Sequence, residues 1–419
     1  MTGLTDSGVG PYDFLAPPRI LFGGGRLDEL GAAASLLGRQ AWLVGGGRSL
    51  AANGVRHRIH ASLAAAGIAW RDVASTAGEP TVSQVAAALA AVADLPRDGV
   101  VVVAVGGGST IDLAKAVAAL ATNMPRGADD APPGDAVPDS DAWYDALVVD
   151  HLEGVGRGTP LRHWPLPVVA VPTTAGTGAE ATRNAVLSCA RRGFKKSLRS
   201  PLLVPRVALV DPELTASCDR ATIAASGLDC ITQLIESFVC RFRSPLTRGL
   251  VLEALPRAVA ALPRLLRPTA AEDAAPARAA LAHAALVSGM ALTNSGLGMA
   301  HGVAAALGIA TGTPHGLACA VMLPTALRVN LPAAGPDFAL LERAVAGDAS
   351  AHDATAAEAF VRRIAGLCAE AGVPGRLSDL GVRADQLDWL AAHSGGASMR
   401  GNPVELGPAA LRDILAAQL

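Results

Sequence analysis

The chain has 419 residues, more than one hydrophobic core usually covers, which predicts roughly two to three domains. Hydrophobic residues make up 51% of it but aromatic residues only 3%, so the core is expected to consist of Ala, Val and Leu side chains. The 35 Lys and Arg residues nearly balance the 37 Asp and Glu residues, and a net charge of -2 offers no field for a polyphosphate backbone, so no nucleic-acid partner is expected.

Neither a targeting segment nor a membrane span is evident. The N-terminal residues carry no basic region followed by an apolar stretch, and no uninterrupted apolar run approaches the ~20 residues that span a bilayer. Six cysteines occur without a CxxC pair, which indicates reduced core thiols rather than disulfides or a zinc knuckle: Cys189, Cys218, Cys230, Cys240, Cys319 and Cys368. We therefore expect a soluble, cytoplasmic protein with no membrane partner.

The first half alternates short apolar runs with Ala-rich helical periodicity, the pattern of strand and helix units in a parallel sheet. Four runs are predicted strands, each followed by Gly, Pro or Asp: 40–44, 99–105, 166–171 and 207–210. Ligands of open α/β sheets gather outside the carboxyl ends of the strands. These four ends are therefore where a site is expected.

Two further segments divide the chain. Residues 125–165 are rich in Pro, Gly and Asp without a clear period, which predicts a long loop beside the site. From about residue 213 the sequence changes to Ala- and Leu-rich helical stretches. We expect a boundary near 212, with an α/β domain over 1–212 and an all-helical domain over 213–419.

The segment Val103–Lys115 predicts a buried strand, a glycine turn and a helix, an arrangement in which backbone N–H groups can approach a pyrophosphate. Close packing of the helix on the sheet is the alternative. A second turn, Gly45–Ser49, follows the earlier strand and could hold the adenosine side of a dinucleotide. It has no acidic residue for a ribose hydroxyl, whereas Arg48 could pair with a 2′-phosphate, which favours NADP.

The segment Pro172–Glu180 is rich in Thr and Gly and follows a predicted strand. Its hydroxyls and N–H groups suit contacts to phosphate, ribose or the nicotinamide amide. A helix N-cap with its turn explains the same residues.

Candidate metal ligands occur in the helical half. Asp229 lies in a largely apolar stretch four residues before Gln233, so the two share a helix face. His301 and His315 stand fourteen residues apart in equally apolar surroundings. A lone histidine there would be a hydrogen-bonded core residue, but two histidines and an inward carboxylate predict a site for Fe(II) or Zn(II).

Together these residues resemble the iron-containing (group III) alcohol dehydrogenase family, which shares its fold with glycerol dehydrogenase and dehydroquinate synthase. The similarity covers most of the chain, in order: RILFGG (19–24), GEPT (78–81), GGGSTIDLAKA, PTTAGTGAE, 195–201, DPEL (211–214), the Asp229 helix, the His301/His315 segment and Leu323-Pro324. The resemblance implies an α/β N-terminal dinucleotide-binding domain, an all-α C-terminal domain, and a cleft for nicotinamide and metal.

The resemblance also assigns roles to residues. The NAD(P) phosphates and neighbouring groups would lie at the glycine turns and Asp112. The threonines would line the nicotinamide ribose region, and Lys195 would reach a ribose hydroxyl. The cofactor set implied is Gly46, Gly106, Gly107, Gly108, Ser109, Asp112, Thr173, Thr174, Thr177 and Lys195. Asp229, His301 and His315 match three of four metal ligands. The metal would polarise a substrate oxygen during hydride transfer at C4 of the nicotinamide.

Two positions depart from the family pattern. The histidine four residues after the Asp is replaced by Gln233, a poorer neutral ligand, so the predicted metal set is Asp229, Gln233, His301 and His315. The histidine four residues after His301 is replaced by Ala305, so the proton must come from water, a ribose hydroxyl or another side chain, and no catalytic residue is assigned.

The sequence therefore predicts an NAD(P)-dependent alcohol dehydrogenase, working as an aldehyde or ketone reductase on small molecules, in a homodimer or larger homo-oligomer. One alternative is a metal-independent reductase similar to maleylacetate reductase, with Arg183 or Arg199 holding a carboxylated substrate. Another is a non-redox lyase similar to dehydroquinate synthase, although Leu, Ile and Phe238 around Asp229 argue against its phosphate pocket. A third is a degenerate member that only binds a dinucleotide or a partner.

Overall fold

The computed structural model of the chain describes residues 10–47, 50, 54–76, 78–124, 141–268, 270–348, 350 and 352–419. They divide into two compact units. The sheet unit comprises Ala16–Ser226 and Arg264–Leu286, and the helical unit comprises Gly227–Pro263, Val287–Leu419 and the N-terminal segment up to Leu15. The division into domains 1–212 and 213–419 stays a prediction.

The described part of the sheet unit contains eight strands: β1 (Arg19–Phe22), β2 (Gln40–Gly46), β3 (Ala69–Thr76), β4 (Val100–Gly106), β5 (Val168–Pro172), β6 (Asn184–Cys189), β7 (Phe194–Arg199) and β8 (Val207–Val210). Six of them form one parallel sheet in the order β1-β8-β5-β4-β2-β3. The strands predicted from the sequence are confirmed as β2, β4, β5 and β8. The parallel sheet confirms the predicted α/β class.

The central strands are buried on both faces. Every residue of β4 is buried, and its side chains alternate between two apolar clusters, with Val102 and Ala104 in one and Val101 and Val103 in the other. Such near-continuous hydrophobic runs are typical of a parallel sheet covered by helices on each side. The edge strands β1 and β3 contain exposed and polar residues, so their sequences do not form the apolar runs that mark the centre.

Helices of the sheet unit follow the strands: α1 (Leu30–Ser35), α2 (Val55–Ala65), α3 (Val82–Ala91), α4 (Gly108–Asn123) and α5 (Asp141–Asp150). The last of these corrects the predicted loop over 125–165. Trp143, Tyr144, Leu147 and Val148 are buried on one face of α5, because their spacing suits an amphipathic helix. Residues 125–140 of that prediction lie outside the described residues.

The antiparallel hairpin of β6 and β7 was not predicted. Its register pairs Ser188 with Lys195 and Asn184 with Arg199. The segment lacks the continuous apolar character of the central strands, since only Ala185 and Leu187 of the six residues of β6 are buried.

Among the described residues from 213 onward all regular elements are helical, as predicted. The α-helices are α6 (Arg220–Val239), α7 (Pro245–Leu266), α8 (Ala271–Asn294), α9 (Met299–Thr311), α10 (His315–Ala346), α11 (Asp353–Glu370), α12 (Leu387–His393), α13 (Ala397–Arg400) and α14 (Pro408–Ala416).

One of the described helices, α10, is long and apolar enough to cross a membrane by length and composition alone. Most of its apolar window, 61%, is buried against the rest of the protein, as in the core helix of a soluble protein. Three prolines also interrupt it, at 324, 332 and 336.

Candidate functional site

The candidate dinucleotide site lies at the carboxyl ends of β2 and β4. The sheet reverses its strand order between these two strands, which is where open α/β sheets bind ligands. A Cβ atom on Gly46 would lie 3.2 Å from Cα of Gly106, so the two strand ends are in close backbone contact. Helix α4 begins at Gly108, after the N-cap Gly107, without a capping side chain. Its first N–H groups thus form a terminus of the kind that binds phosphate.

The glycine turn packs directly against the threonine segment that follows β5. A Cβ atom on Gly108 would lie 2.4 Å from Oγ1 of Thr177, closer than real Cβ atoms approach other atoms. The Thr173 N–H donates to the carbonyl of Gly106 at 3.0 Å. Two motifs that are far apart in the sequence therefore form one surface, because β4 and β5 are neighbours.

Four partly exposed residues with hydroxyl groups lie at this surface. Ser109 lies in the first turn of α4, and Thr173, Thr174 and Thr177 are the half-buried residues among buried neighbours of the threonine segment. These four residues are thus partly accessible beside the helix N-terminus. Arg48, the predicted partner of a 2′-phosphate, lies outside the described residues.

The two charged residues of the predicted cofactor set have protein partners. Asp112 forms an ion pair with Lys115 at 3.0 Å and accepts a hydrogen bond from the Val186 N–H, which joins α4 to β6. Lys195 forms an ion pair with Glu79 of the GEPT segment. Each therefore has a structural role beside the cofactor role that the resemblance implies.

Sequence reasoning missed a buried charge network next to these motifs. The ammonium of Lys115 is fully buried and donates to Oγ1 of Thr182 at 2.8 Å and to the Ala179 carbonyl at 3.1 Å. Burial raises the pKa of Glu180 to about 7, although the charge of Lys115 acts in the opposite direction. Both residues stand inside the quoted motifs, but only the fold shows that they are buried together.

The candidate metal centre lies within the helical unit and is built from three helices. Helix α6 carries Asp229, α9 carries His301, and α10 carries both His315 and Cys319. One ligand atom from each of these four residues lies within 4.8 Å of the other three. The structure thus brings together three predicted ligands and adds a cysteine that sequence reasoning took for a core thiol.

Short distances join these side chains at buried atoms. Oδ1 of Asp229 lies 3.4 Å from Nε2 of His301 and 3.8 Å from Nε2 of His315. Oδ1 of Asp229 and Nε2 of His301 are buried without a hydrogen-bond partner among the described residues. Buried polar atoms without partners are costly, and a cation between them would remove that cost. Oxygen, imidazole and thiol donors in this arrangement fit a divalent metal.

The electrostatics of the cluster reflect its burial. Burial acts to raise the pKa of Asp229, but His315 and His301 outweigh it and hold that pKa below its usual value. Burial likewise opposes protonation of His301, whereas Cys319, Asp229 and Glu236 raise its pKa well above the usual value. Burial raises the pKa of the Cys319 thiol to about 12.

Glu236 orients His301. Its Oε2 lies 2.7 Å from Nδ1 of His301, and the carboxylate also accepts hydrogen bonds from the N–H groups of Gly298 and Ala300 at the start of α9. A hydrogen bond at Nδ1 leaves Nε2 facing Asp229 as the free ligand atom. Glu236 follows Asp229 by seven residues on α6, and this helical spacing is the signal that could have revealed it.

The two residues that depart from the family pattern are both near the cluster in the fold. Gln233 is buried one turn after Asp229, and its amide Nε2 donates to Oγ of Ser288 at 2.8 Å. Ala305 lies one turn after His301 on α9 and carries no proton donor. The side chain of His315 is 31% exposed, so the cluster opens on its side.

Residues invoked for the alternative functions are placed differently. Arg199 forms an ion pair with Glu153, and burial together with the charge of Arg199 lowers the pKa of Arg183. Leu228, Ile231 and Phe238 on α6 are fully buried and apolar. None of these positions adds a basic residue to the Asp229 cluster.

Two family models together match most of the chain. The profile "Iron-containing alcohol dehydrogenase" matches residues 17–212, and "Fe-containing alcohol dehydrogenase family, C-terminal" matches residues 223–419. Lactaldehyde reductase of Escherichia coli K12 is 31% identical over 94% of this chain and 95% of its own length.

Two solved structures have the same fold. The structure of 1,3-propanediol oxidoreductase is 28% identical with a TM-score of 0.82, covering 98% of this chain and 100% of the other. Sulfoacetaldehyde reductase of Bifidobacterium kashiwanohense in complex with NAD+ is 25% identical with a TM-score of 0.80, covering 98% and 99%.

Proposed function

Because the chain belongs to the iron-containing alcohol dehydrogenase family, whose members use NAD and iron, we propose that it reduces small aldehydes or ketones with a nicotinamide dinucleotide. The chain is an oxidoreductase acting on CH–OH groups, like the relatives it matches over nearly its whole length. The observation that supports the proposal most directly is the convergence of Asp229, His301 and His315 on one buried point.

The helical unit would hold the metal through these three residues. Asp229 would contribute the negative charge that a divalent cation requires, and His301 would contribute Nε2, with its ring oriented by the contact between Nδ1 and Glu236. His315 contributes Nε2 on the exposed side of the cluster, where a substrate oxygen can reach it. When bound, the metal supplies Lewis-acid polarisation of that oxygen.

The sheet unit would hold the dinucleotide at the glycine turn. The uncapped start of α4 offers N–H groups to the pyrophosphate, and the absence of side chains at Gly46 and Gly106–Gly108 allows it to approach the backbone. The hydroxyls of Ser109, Thr173, Thr174 and Thr177 would contact phosphate and the nicotinamide ribose. Asp112 and Lys195, each of which also pairs with a protein group, would complete the set.

Proton delivery in this chain differs from the family pattern because Ala305 replaces the usual histidine. The exposed edge of His315 gives water access to the cluster. We infer that solvent or the ribose hydroxyl supplies the proton, and that no side chain at 305 takes part.

The dinucleotide is NAD or NADP and the metal Fe(II) or Zn(II). The substrates are small aldehydes and their alcohols, as the names of lactaldehyde reductase and sulfoacetaldehyde reductase suggest. Six free cysteines suit a reducing, cytoplasmic setting, and we propose a homodimer or larger homo-oligomer.

The direct test is turnover with defined substrates. Protein reconstituted anaerobically with Fe(II) or Zn(II) is mixed with NADH or NADPH and with lactaldehyde, sulfoacetaldehyde or propanal, and cofactor oxidation is followed by absorbance. Reduction of at least one aldehyde supports the proposal. Stoichiometric dinucleotide binding without turnover across a broad carbonyl panel contradicts it and favours a binding protein.

A further inference from the structure

Cys319 has surroundings unlike those of Cys240 and Cys368, two other buried thiols of the helical unit. Sγ of Cys240 donates to the Ser295 carbonyl, and Sγ of Cys368 donates to the Ala320 carbonyl, as expected for thiols that only fill a core. Sγ of Cys319 instead lies 3.7 Å from Nε2 of His315. Its neighbour is therefore a metal-binding atom rather than a backbone carbonyl.

The placement follows from helix geometry. Cys319 comes four residues after His315 on α10, so both side chains project from one face towards Asp229 and His301. Two of the atoms they meet, Oδ1 of Asp229 and Nε2 of His301, are fully buried and lack a hydrogen-bond partner among the described residues. The thiol thus faces the same buried point as these two atoms.

The distances suit a single ion. Four ligands at about 2.0–2.3 Å from a tetrahedral metal lie about 3.3–3.6 Å from one another. The recorded separations are 3.4 Å between Asp229 and His301, 3.8 Å between Asp229 and His315, and 3.7 Å between Cys319 and His315. A small contraction around an ion would bring these atoms to bonding distance.

The competing ligand is weaker. Gln233 would offer a neutral amide oxygen, and its amide nitrogen is already engaged with Ser288. A thiolate carries a full negative charge, and with Asp229 it would balance a divalent cation in a buried site, where uncompensated charge is costly.

We propose that Cys319 is the fourth protein ligand of this metal site, filling the role for which the usual histidine is missing at Gln233. The proposal rests on the metal role of the proposed function. When the sulfur–metal bond forms, the thiol proton passes to solvent and no atom is oxidised or reduced. Because thiolate is a soft ligand, the site should prefer Zn(II) or Co(II) over Fe(II).

Cobalt spectroscopy tests the ligand directly, without reference to turnover. Metal-free protein is titrated anaerobically with Co(II) while absorbance is recorded, because a thiolate ligand produces a sulfur-to-cobalt charge-transfer band in the near ultraviolet. We expect this band to saturate at one Co(II) per chain in the wild-type protein. Cys319→Ser should abolish it, and Gln233→Ala should retain it.

Cys368→Ser is the matched control, since Cys368 is also buried in the helical unit but bonds to a carbonyl. It should keep the full band. Loss of an outer partner alone costs about 10–100-fold in metal affinity, so Cys319→Ser should weaken Zn(II) binding at least that much.

Two results would overturn the proposal. Stoichiometric Co(II) binding without the charge-transfer band in the wild-type protein would assign the fourth position to Gln233 or water while leaving the proposed function intact. Failure of wild-type protein to bind Co(II), together with aldehyde reduction by metal-free enzyme, would remove both the cysteine ligand and the metal mechanism. The wild-type spectrum decides the matter even if a variant misfolds.

Discussion

The glycine turn of the sheet unit and the Asp229 cluster of the helical unit differ in the kind of group that would contact a ligand. At the turn, the proposed binding groups are backbone N–H groups, and the glycines leave the space where β2, β4 and α4 meet free of side chains. In the cluster, the proposed ligand atoms belong to side chains from three helices. A backbone site tolerates little change in residue type, whereas a side-chain site can exchange one donor for another.

The two regions also shift the pKa of a buried carboxylate in opposite directions. Asp229 faces two histidines, which hold its pKa below the usual value despite burial. Glu180, in the threonine segment, has its pKa raised to about 7 because burial dominates over Lys115. One carboxylate is kept charged for a cation, and the other loses its charge near neutral pH.

The largest effect should follow from removing the charge of the cluster. Asp229→Asn is expected to lower aldehyde reduction about a thousandfold, because several kcal/mol of polarisation are lost with the metal. NADH binding should remain near the wild-type value when measured by fluorescence titration. Asp337→Asn, which removes a carboxylate paired with Arg248 in the same unit, is the control and should keep its metal. Unchanged activity in Asp229→Asn would favour a metal-independent reductase.

A substitution at the glycine turn should have the opposite effect, weakening dinucleotide binding and leaving the metal in place. Gly108→Ala should weaken NADH binding about 100-fold, since the new Cβ atom displaces Thr177 and obstructs the N-terminus of α4. Metal content should not change. Gly78→Ala serves as the control because its Cβ atom meets no atom within 4 Å. Equal NADH affinity in both variants would show that the turn does not bind the dinucleotide.

A smaller effect should separate orientation from ligation. Glu236→Gln is expected to reduce metal affinity about 10–100-fold, because His301 loses the charged partner at Nδ1. Glu342→Gln also removes a buried carboxylate, one paired with Arg363, and should lower stability without altering metal affinity. Competition with a chromophoric chelator measures both. An equal loss of metal affinity in the two variants would mean that Glu236 only stabilises the fold.

Glu180→Gln is expected to have the least effect on function but a measurable effect on the pH dependence of stability. The pKa of Glu180 is about 7 in the folded protein and near 4.5 when unfolded, so its favourable contribution is complete below about pH 4.5 and is lost as pH rises through 7. The free energy of unfolding in urea should therefore fall by about 2–3 kcal/mol relative to Glu180→Gln between pH 5 and pH 8. Parallel pH profiles for the two proteins would contradict the burial of an ionisable group there.

Differences in burial explain which elements could be predicted from the sequence. The central strands could be predicted because burial on both faces makes them continuous apolar runs, and the glycine turn because few residue types fit it. The edge strands β1 and β3 and the hairpin of β6 and β7 are partly exposed, so they lack that pattern. Helix α5 was missed because its flanking residues resemble a loop.

The cluster could be predicted only in part for a related reason. Asp229, His301 and His315 are conspicuous as polar residues in apolar helices. Cys319 is not conspicuous, because free cysteines are commonly buried in hydrophobic cores. Only the packing of α10 near α6 and α9 reveals the polar neighbours of Cys319. Glu236 belongs to the same face of α6 as Asp229, but its partner lies on another helix.

The most direct test of the account is the metal content of protein reconstituted anaerobically with Zn(II) or Fe(II) and then desalted, measured by elemental analysis beside His301→Ala. We expect about one metal ion per chain in the wild-type protein and almost none in the variant. Metal-free wild-type protein that still oxidises NADH or NADPH with an aldehyde would contradict the central claim that this cluster is a metal site.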